Sequence, residues 1–220
     1  MPVTLTDCSY GTQHLPGDET DYPSIYLFRA AQDNSGVVVK IERVTETNAY
    51  GWCIAVLGRR GSPLSALVTN DIPSYGINVR SANLNQDNKP DFLVNIWTGG
   101  CGLAGQGSMT TFLLSDGERY VATSFYSYDF GPEDIVRFAT NGPCYFISND
   151  LIGNGEEKTK DGRDHNFWVY QLYRFDGSQM ILANVDDPRF PKWVWYTFKE
   201  NHKETDQLTK DQKQRILGER

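Results

Sequence analysis

Oxygen-bearing side chains recur at every second position in Asn83-Leu84-Asn85-Gln86-Asp87, and Asp91 follows four residues later. Asn83, Asn85, Asp87 and Asp91 thus stand at positions 1, 3, 5 and 9 of one loop. This alternation turns successive side chains inward around a tight loop, and a hard cation such as Ca²⁺ requires six to eight oxygens. Lys89, at position 7, would add its backbone carbonyl. Position 6 of such a loop adopts a left-handed conformation; Asn88 occupies it, and after Gly, Asn tolerates that conformation best. An EF-hand would need Glu at position 12, but Val94 stands there inside an apolar run. Asp91 must therefore close the site, and the loop leads directly into a strand. The chemistry expected is retention of one Ca²⁺ ion that rigidifies residues 83–91, with the ion bound and not reacting.

Other reactive residues form weaker patterns. Asp164-His165 precedes an aromatic run and could serve as base and partner in a hydrolase beside the glycine-dense 99–107 segment. The more economical reading is a polar turn that caps the incoming strand. Ser108 lacks the G-x-S-x-G spacing and the following helix of a nucleophile elbow. The 99–107 segment lacks the Lys-Ser/Thr ending of a phosphate cradle, and a Cys101–His165 protease pair has no supporting motif. Three histidines in all (His14, His165, His202) make a three-His zinc site improbable. Trp193 and Trp195 alternate onto one face of a strand and could stack on sugar rings as a carbohydrate-binding module. Apolar residues on both faces of that strand fit core packing better.

The elements that must position these residues are strands. Val37–Ile41, Phe92–Trp97, Thr111–Leu114 and Phe167–Tyr173 are β-branched or aromatic runs bounded by turn residues. Asp116-Gly117 and Asp176-Gly177 each sit between two such runs, the strongest short-range hairpin signal, and lie 60 residues apart. Downstream prolines at 132 and 191 keep nearly the same interval, and a fainter copy centres on Arg60-Gly61. Self-similarity near sixty residues points to a repeated sheet unit. The organisation expected is one all-β, antiparallel domain over 1–200, with blade-like repeats at 22–75, 76–132 and 133–191. A tail follows over 201–220, with a short helix from about Lys210 to Leu217 opened by a Thr209…Gln212 capping box. The polar stretch Gly153 to Arg163 reads as an exposed insertion.

With these residues in view, Asn83-Leu84-Asn85-Gln86-Asp87-Asn88-Lys89-Pro90-Asp91-Phe92 resembles the D-x-N-x-D-G-x-x-D-hydrophobic signature of FG-GAP or VCBS repeats. Such repeats form blades of calcium-binding β-propellers in integrin heads and many exported bacterial proteins. The resemblance implies that the matching side chains coordinate Ca²⁺. Asn83 in place of the first Asp and Asn88 in place of Gly imply weaker binding. A propeller needs at least four blades, and 220 residues supply fewer, so the expected fold is an incomplete or divergent propeller, with a β-sandwich as the alternative.

Composition sets the outer bounds. Lys+Arg number 21 against 28 Asp+Glu, a net charge of −7, and the longest basic cluster is Arg59-Arg60, a poor nucleic-acid footprint. No run of eighteen apolar residues is present, so no membrane-spanning helix is expected. Met1-Pro2-Val3-Thr4-Leu5 lacks the pattern of a signal peptide. The calcium loop still favours an extracellular or periplasmic setting. Four cysteines without a CxxC pair disfavour zinc ribbons and allow two disulfides, for which Cys8–Cys53 and Cys101–Cys144 are the preferred pairs. The function expected is calcium-stabilised binding or scaffolding towards an unknown protein or carbohydrate ligand.

Overall fold

Asp91–Trp97 is buried at every position but the last, the mark of a strand covered on both faces. In the computed structural model this strand is the middle of five in its sheet. Residues 1, 3–13, 24–31, 35–46, 49–66, 68–70, 76–97, 99, 107–128, 130–158, 164–183, 193–197 and 202–206 are described; side chains are not at 45–46, 49–50, 69–70, 150–170 and 193–206.

Three antiparallel sheets account for the described strands. The first joins, in order, β2 (Ser9–Gln13), β3 (Ile25–Arg29), β4 (Val38–Glu46), β5 (Ala49–Leu57) and β6 (Val68–Asn70). The second joins β1 (Thr6–Asp7), β7 (Gly76–Ala82), β8 (Asp91–Trp97), β9 (Gly107–Ser115) and β10 (Tyr120–Tyr128). The third joins β11 (Ile135–Arg137), β12 (Cys144–Lys158), β13 (Asp164–Asp176), β15 (Trp193–Thr197) and β16 (His202–Asp206), with β14 (Gln179–Leu182) also paired to β13. None closes into a barrel. Each sheet thus contains a four-strand meander, β3–β6, β7–β10 and β11–β14, in chain order.

The chain divides into two compact units, Met1–Phe146 with Arg174–Ile181, and Ile147–Tyr173 with Leu182–Arg220. In the first unit, period-2 alternation builds two apolar layers on the second sheet. Phe92, Val94, Ile96, Leu113 and Tyr120 point to one side and meet Phe28, Val39, Ile41, Trp52, Ile54 and Val56 of the first sheet. On the opposite side the fully buried Phe112 packs its ring against Phe125, Phe146 and Phe175, with centroids 6.0, 4.8 and 5.3 Å away. The second unit is described by its backbone: Phe167 faces Trp195 and Val169 faces Trp193 between β13 and β15, and β16 pairs outside β15.

Three of the four sequence runs fall wholly within strands and the fourth does so from Val38 on, and both Asp-Gly hairpins form, with left-handed Gly117 and Gly177 (φ +98° and +57°). At the first, Asp116 Oδ1 accepts the N–H groups of Glu118 (2.9 Å) and Arg119 (2.6 Å), which holds this carboxyl below its ordinary range. Other expectations need correction or fall outside the described residues. Cys8 and Cys53 are free thiols, because Cys8 enters the core whereas Cys53 alternates with Trp52 and Ile54 onto the other face of β5. Burial pushes the Cys8 thiol up to about 11. Cys144 is also free, and Cys101 lies outside the described residues, as does the helix expected over 210–217. The insertion expected from Gly153 instead continues β12 to Lys158, and 202–206 of the expected tail is strand β16. Among the described residues the helical elements are single 3₁₀ turns at Arg59–Gly61 and Pro132–Asp134.

The N-terminal segment has a role no sequence pattern announced. Val3 N–H donates to the Ile135 carbonyl (2.9 Å), Thr6 and Asp7 pair with Ser81 and Arg80, and β2 pairs with β3. Within thirteen residues it contacts an edge strand of the first-unit part of every sheet. Backbone hydrogen bonds hold it, together with the Asp7–Arg80 ion pair (2.9 Å) and the buried Cys8.

Candidate metal centre

Residues 83–90 connect β7 to β8, and what organises them is the first residue of β8. Asp91 is fully buried. Its Oδ2 accepts the N–H groups of Leu84 (2.7 Å) and Asn85 (3.2 Å), and its Oδ1 accepts that of Ser115 (2.8 Å). One carboxylate therefore bends the loop back on itself and ties it to the end of β9. Leu84, itself buried, plugs the loop into the protein beside it.

The alternating side chains perform the same task at shorter range. Asn85 Oδ1 accepts the Asp87 N–H (3.1 Å) and Asp87 Oδ1 accepts the Lys89 N–H (2.8 Å), two consecutive turns of the kind that Asn and Asp favour. Gln86 and Asn88 take φ of +67° and +65°, so position 6 is left-handed as its residue type predicts. Asn85 Nδ2 donates to the Ser115 carbonyl (2.6 Å), Lys89 Nζ donates to the Gly117 carbonyl, and Tyr120 Oη donates to the Pro90 carbonyl (3.0 Å). The loop is thereby clamped to the Asp116-Gly117 hairpin. On its other flank Gln86 Nε2 donates to the Gly142 carbonyl (2.8 Å), and an Arg137 guanidinium nitrogen lies 3.4 Å from the Asn83 carbonyl.

All five predicted donors thus belong to one compact loop, but their exposure differs. Asp91 is buried, Asn83 and Asn85 are half-buried, and Asp87 and Lys89 are exposed. Asn83 Oδ1 is buried and accepts no hydrogen bond. A buried carbonyl oxygen without a partner costs free energy unless something satisfies it, and this atom stands at position 1 of the loop. The donor set is entirely oxygen, two carboxylates and two amides plus a backbone carbonyl, which fits a hard cation and not a thiophilic one. Among the described residues no cluster of three or more His, Cys, Asp or Glu could hold a metal ion, so any ion here would lean on amide and backbone oxygens.

Burial pushes the Asp91 carboxyl up to about 6, against the opposing pull of its three N–H donors. Asp91 therefore keeps its proton to higher pH in the native state than in the unfolded chain, where Asp titrates near 4 (roughly). Its contribution to stability is complete below about pH 4 and is lost as pH rises through about 6. In calcium-free buffer the Asp91 carboxyl carbon should titrate by NMR with a midpoint near 6. A midpoint in the ordinary carboxylate range would mean that the three donors offset desolvation in full.

The remaining sequence candidates do not converge in view. Asp164 and His165 occupy successive positions of β13, where side chains are not described, and of the 99–107 segment only Gly99 and Gly107 are described. Ser108 is the second residue of β9, buried, with its Oγ accepting a hydrogen bond from Asn95, and the chain continues from it as strand, which is no place for a nucleophile elbow. Trp193 and Trp195 share one side of β15 by backbone alternation; their side chains are not described. Of the other aromatics, Phe130 is buried while Tyr126 is exposed. Compared with family models, curated proteins and solved structures, the chain matches none. The likeness of residues 83–92 to an FG-GAP or VCBS signature therefore rests on those ten residues.

Proposed function

We propose that this protein is a calcium-stabilised β-sheet module that binds or scaffolds a protein or carbohydrate ligand, with Ca²⁺ held by Asn83, Asn85, Asp87, Asp91 and the Lys89 carbonyl. The observation that carries the calcium reading is Asn83 Oδ1, buried and unpartnered at the first position of a loop of alternating oxygen donors. When bound, the ion supplies charge compensation for Asp87 and Asp91 and a partner for that oxygen. Asp91 acts as the loop's backbone anchor, and Asn85 and Asp87 hold its turns.

The sheets act as blade-like repeats of an incomplete or divergent propeller. Support comes from their phase: meanders spanning 25–70, 76–128 and 135–182 follow one another, and a left-handed glycine (Gly61, Gly117, Gly177) follows the third strand of each. Two carboxylates with amide partners suit affinities of about 10⁻⁴ to 10⁻³ M, typical of extracellular modules. That affinity is the support for an extracellular or periplasmic setting, since the free thiols at Cys8, Cys53 and Cys144 lend none.

The test is thermal melting of the wild type and of Asp87→Ala in 10 mM Ca²⁺ and in chelator. At such an excess over Kd, linkage amounts to roughly 1.5–2.5 kcal/mol, a rise of about 3–10 °C for a chain of this size. Asp87 is exposed and its replacement should leave the fold intact while abolishing the rise. Coincident wild-type curves in the two buffers would refute the calcium reading.

A further inference from the structure

Four polar side chains share one face of the second sheet in a part of the first unit closed off from bulk solvent. Register places Asn95 opposite Thr110, and Ser108 opposite Ser127, on adjacent rows of β8, β9 and β10. Directly opposed residues of antiparallel strands point to the same side, so all four belong to the side that also carries Phe112. Asn95 is 4% exposed, Ser108 and Ser127 1%, and Thr110 is fully buried.

Their hydrogen bonds can be counted. Asn95 Nδ2 donates to Ser108 Oγ (3.1 Å) and to Thr110 Oγ1 (2.9 Å), which uses both amide hydrogens. Ser108 Oγ in turn reaches the Ser127 carbonyl at 3.5 Å. Two atoms are left over: Asn95 Oδ1 and Ser127 Oγ are buried with no partner. They lie on either side of Ser108, one on β8 and one on β10. Two orphaned polar atoms flanking one hydroxyl would be costly if dry.

We propose that this face holds a buried hydration site, in which a water molecule bridges Asn95 Oδ1 and Ser127 Oγ. The chemistry of the set selects a small neutral ligand. It comprises one amide and three hydroxyls with no charged group, so nothing compensates an ion. Asn95 Oδ1 needs a donor, and Ser127 Oγ can accept or donate. Water meets both needs, and enclosed polar sites with two or more partners are where buried water is found. The site is independent of the 83–91 loop, which lies at the other end of β8. It also accounts for Ser108, which serves as a structural hydroxyl at the centre of the network.

A crystal structure at high resolution, paired with melting of Ser127→Ala in chelator, tests the site. Density for a water within hydrogen-bonding distance of both Asn95 Oδ1 and Ser127 Oγ is expected. Ser127→Ala should lower the melting temperature by roughly 2–6 °C, because it strands the water and Asn95. The sign is informative: if Ser127 Oγ is a dry orphan, deleting it relieves a penalty and the melting temperature holds or rises. Either that outcome, or a map in which protein groups alone satisfy the two atoms, would overturn the proposal.

Discussion

Asp91→Ala should destabilise the protein by about 3–4 kcal/mol in calcium-free buffer, because it removes the shared acceptor of three backbone N–H groups at once. Two of those bonds are buried, and each stranded donor costs roughly 1–3 kcal/mol, lessened where water can enter the space left. Asp91→Asn keeps the volume and one acceptor oxygen, yet turns an amide group towards an N–H that it cannot accept. About 2 kcal/mol is expected for it, between wild type and alanine. Chemical denaturation in chelator measures both, and using chelator separates the anchoring role from any contribution of the ion. A loss below about 1 kcal/mol for Asp91→Ala would show that the loop holds its shape without this carboxylate. The same measurement on Asp87→Ala should give little change, since Asp87 is exposed and accepts a single loop N–H.

Phe112→Ala is the second large effect, at about 4 kcal/mol. Phe112 has no exposed surface and touches three other rings, Phe125, Phe146 and Phe175, which come from β10, β12 and β13. Its removal leaves a void that four strands would have to close, and sheet backbones tied by ladder hydrogen bonds close poorly. Urea unfolding should show the loss as a lower midpoint with an unchanged slope. A cost under about 1.5 kcal/mol would mean that this side of the second sheet is loosely filled.

How far the fold could be read in advance follows from what each element depends on. The strand over Phe92–Trp97 was legible because burial on both faces favours a largely apolar run, and that run is written in consecutive residues; Phe167–Tyr173 was legible from its β-branched and aromatic residues. The Asp-Gly hairpins were legible because positive φ restricts the residue types that fit. The N-terminal segment was not, since its exposed residues owe their place to backbone hydrogen bonds and carry no apolar alternation. Nor did Gly153–Lys158 announce itself, because a strand can persist on its partner's hydrogen bonds through residues that would not choose it. The Cys8–Cys53 pairing failed for a related reason: proximity in sequence says nothing about which side of a strand each sulfur takes.

The 83–91 loop was legible in its residue types and its left-handed turn, and less so in its division of labour. Spacing treats Asn83, Asn85, Asp87 and Asp91 as four equal donors. In the folded protein Asp91 anchors three backbone groups from within, Asn85 and Asp87 brace successive turns, and Asn83 presents the one buried oxygen without a partner. Burial decides between these roles, and it depends on the Ser115–Gly117 hairpin, some thirty residues away, against which the loop is clamped. The Asn95, Ser108, Thr110 and Ser127 network was hidden for the same reason, as polar residues in strands read as solvent-facing until both sides of the sheet are seen to be covered.

The central claim is that these alternating oxygens hold a calcium ion, and the most direct measurement is a calcium titration followed through backbone amide resonances. Saturable shifts are expected, confined to residues 83–91 and the neighbouring 115–117, absent in Asp87→Ala and not reproduced by Mg²⁺ at equal concentration. Superimposable spectra of the wild-type protein in chelator and in 10 mM (about ten to a hundred times the expected Kd) Ca²⁺ would contradict it.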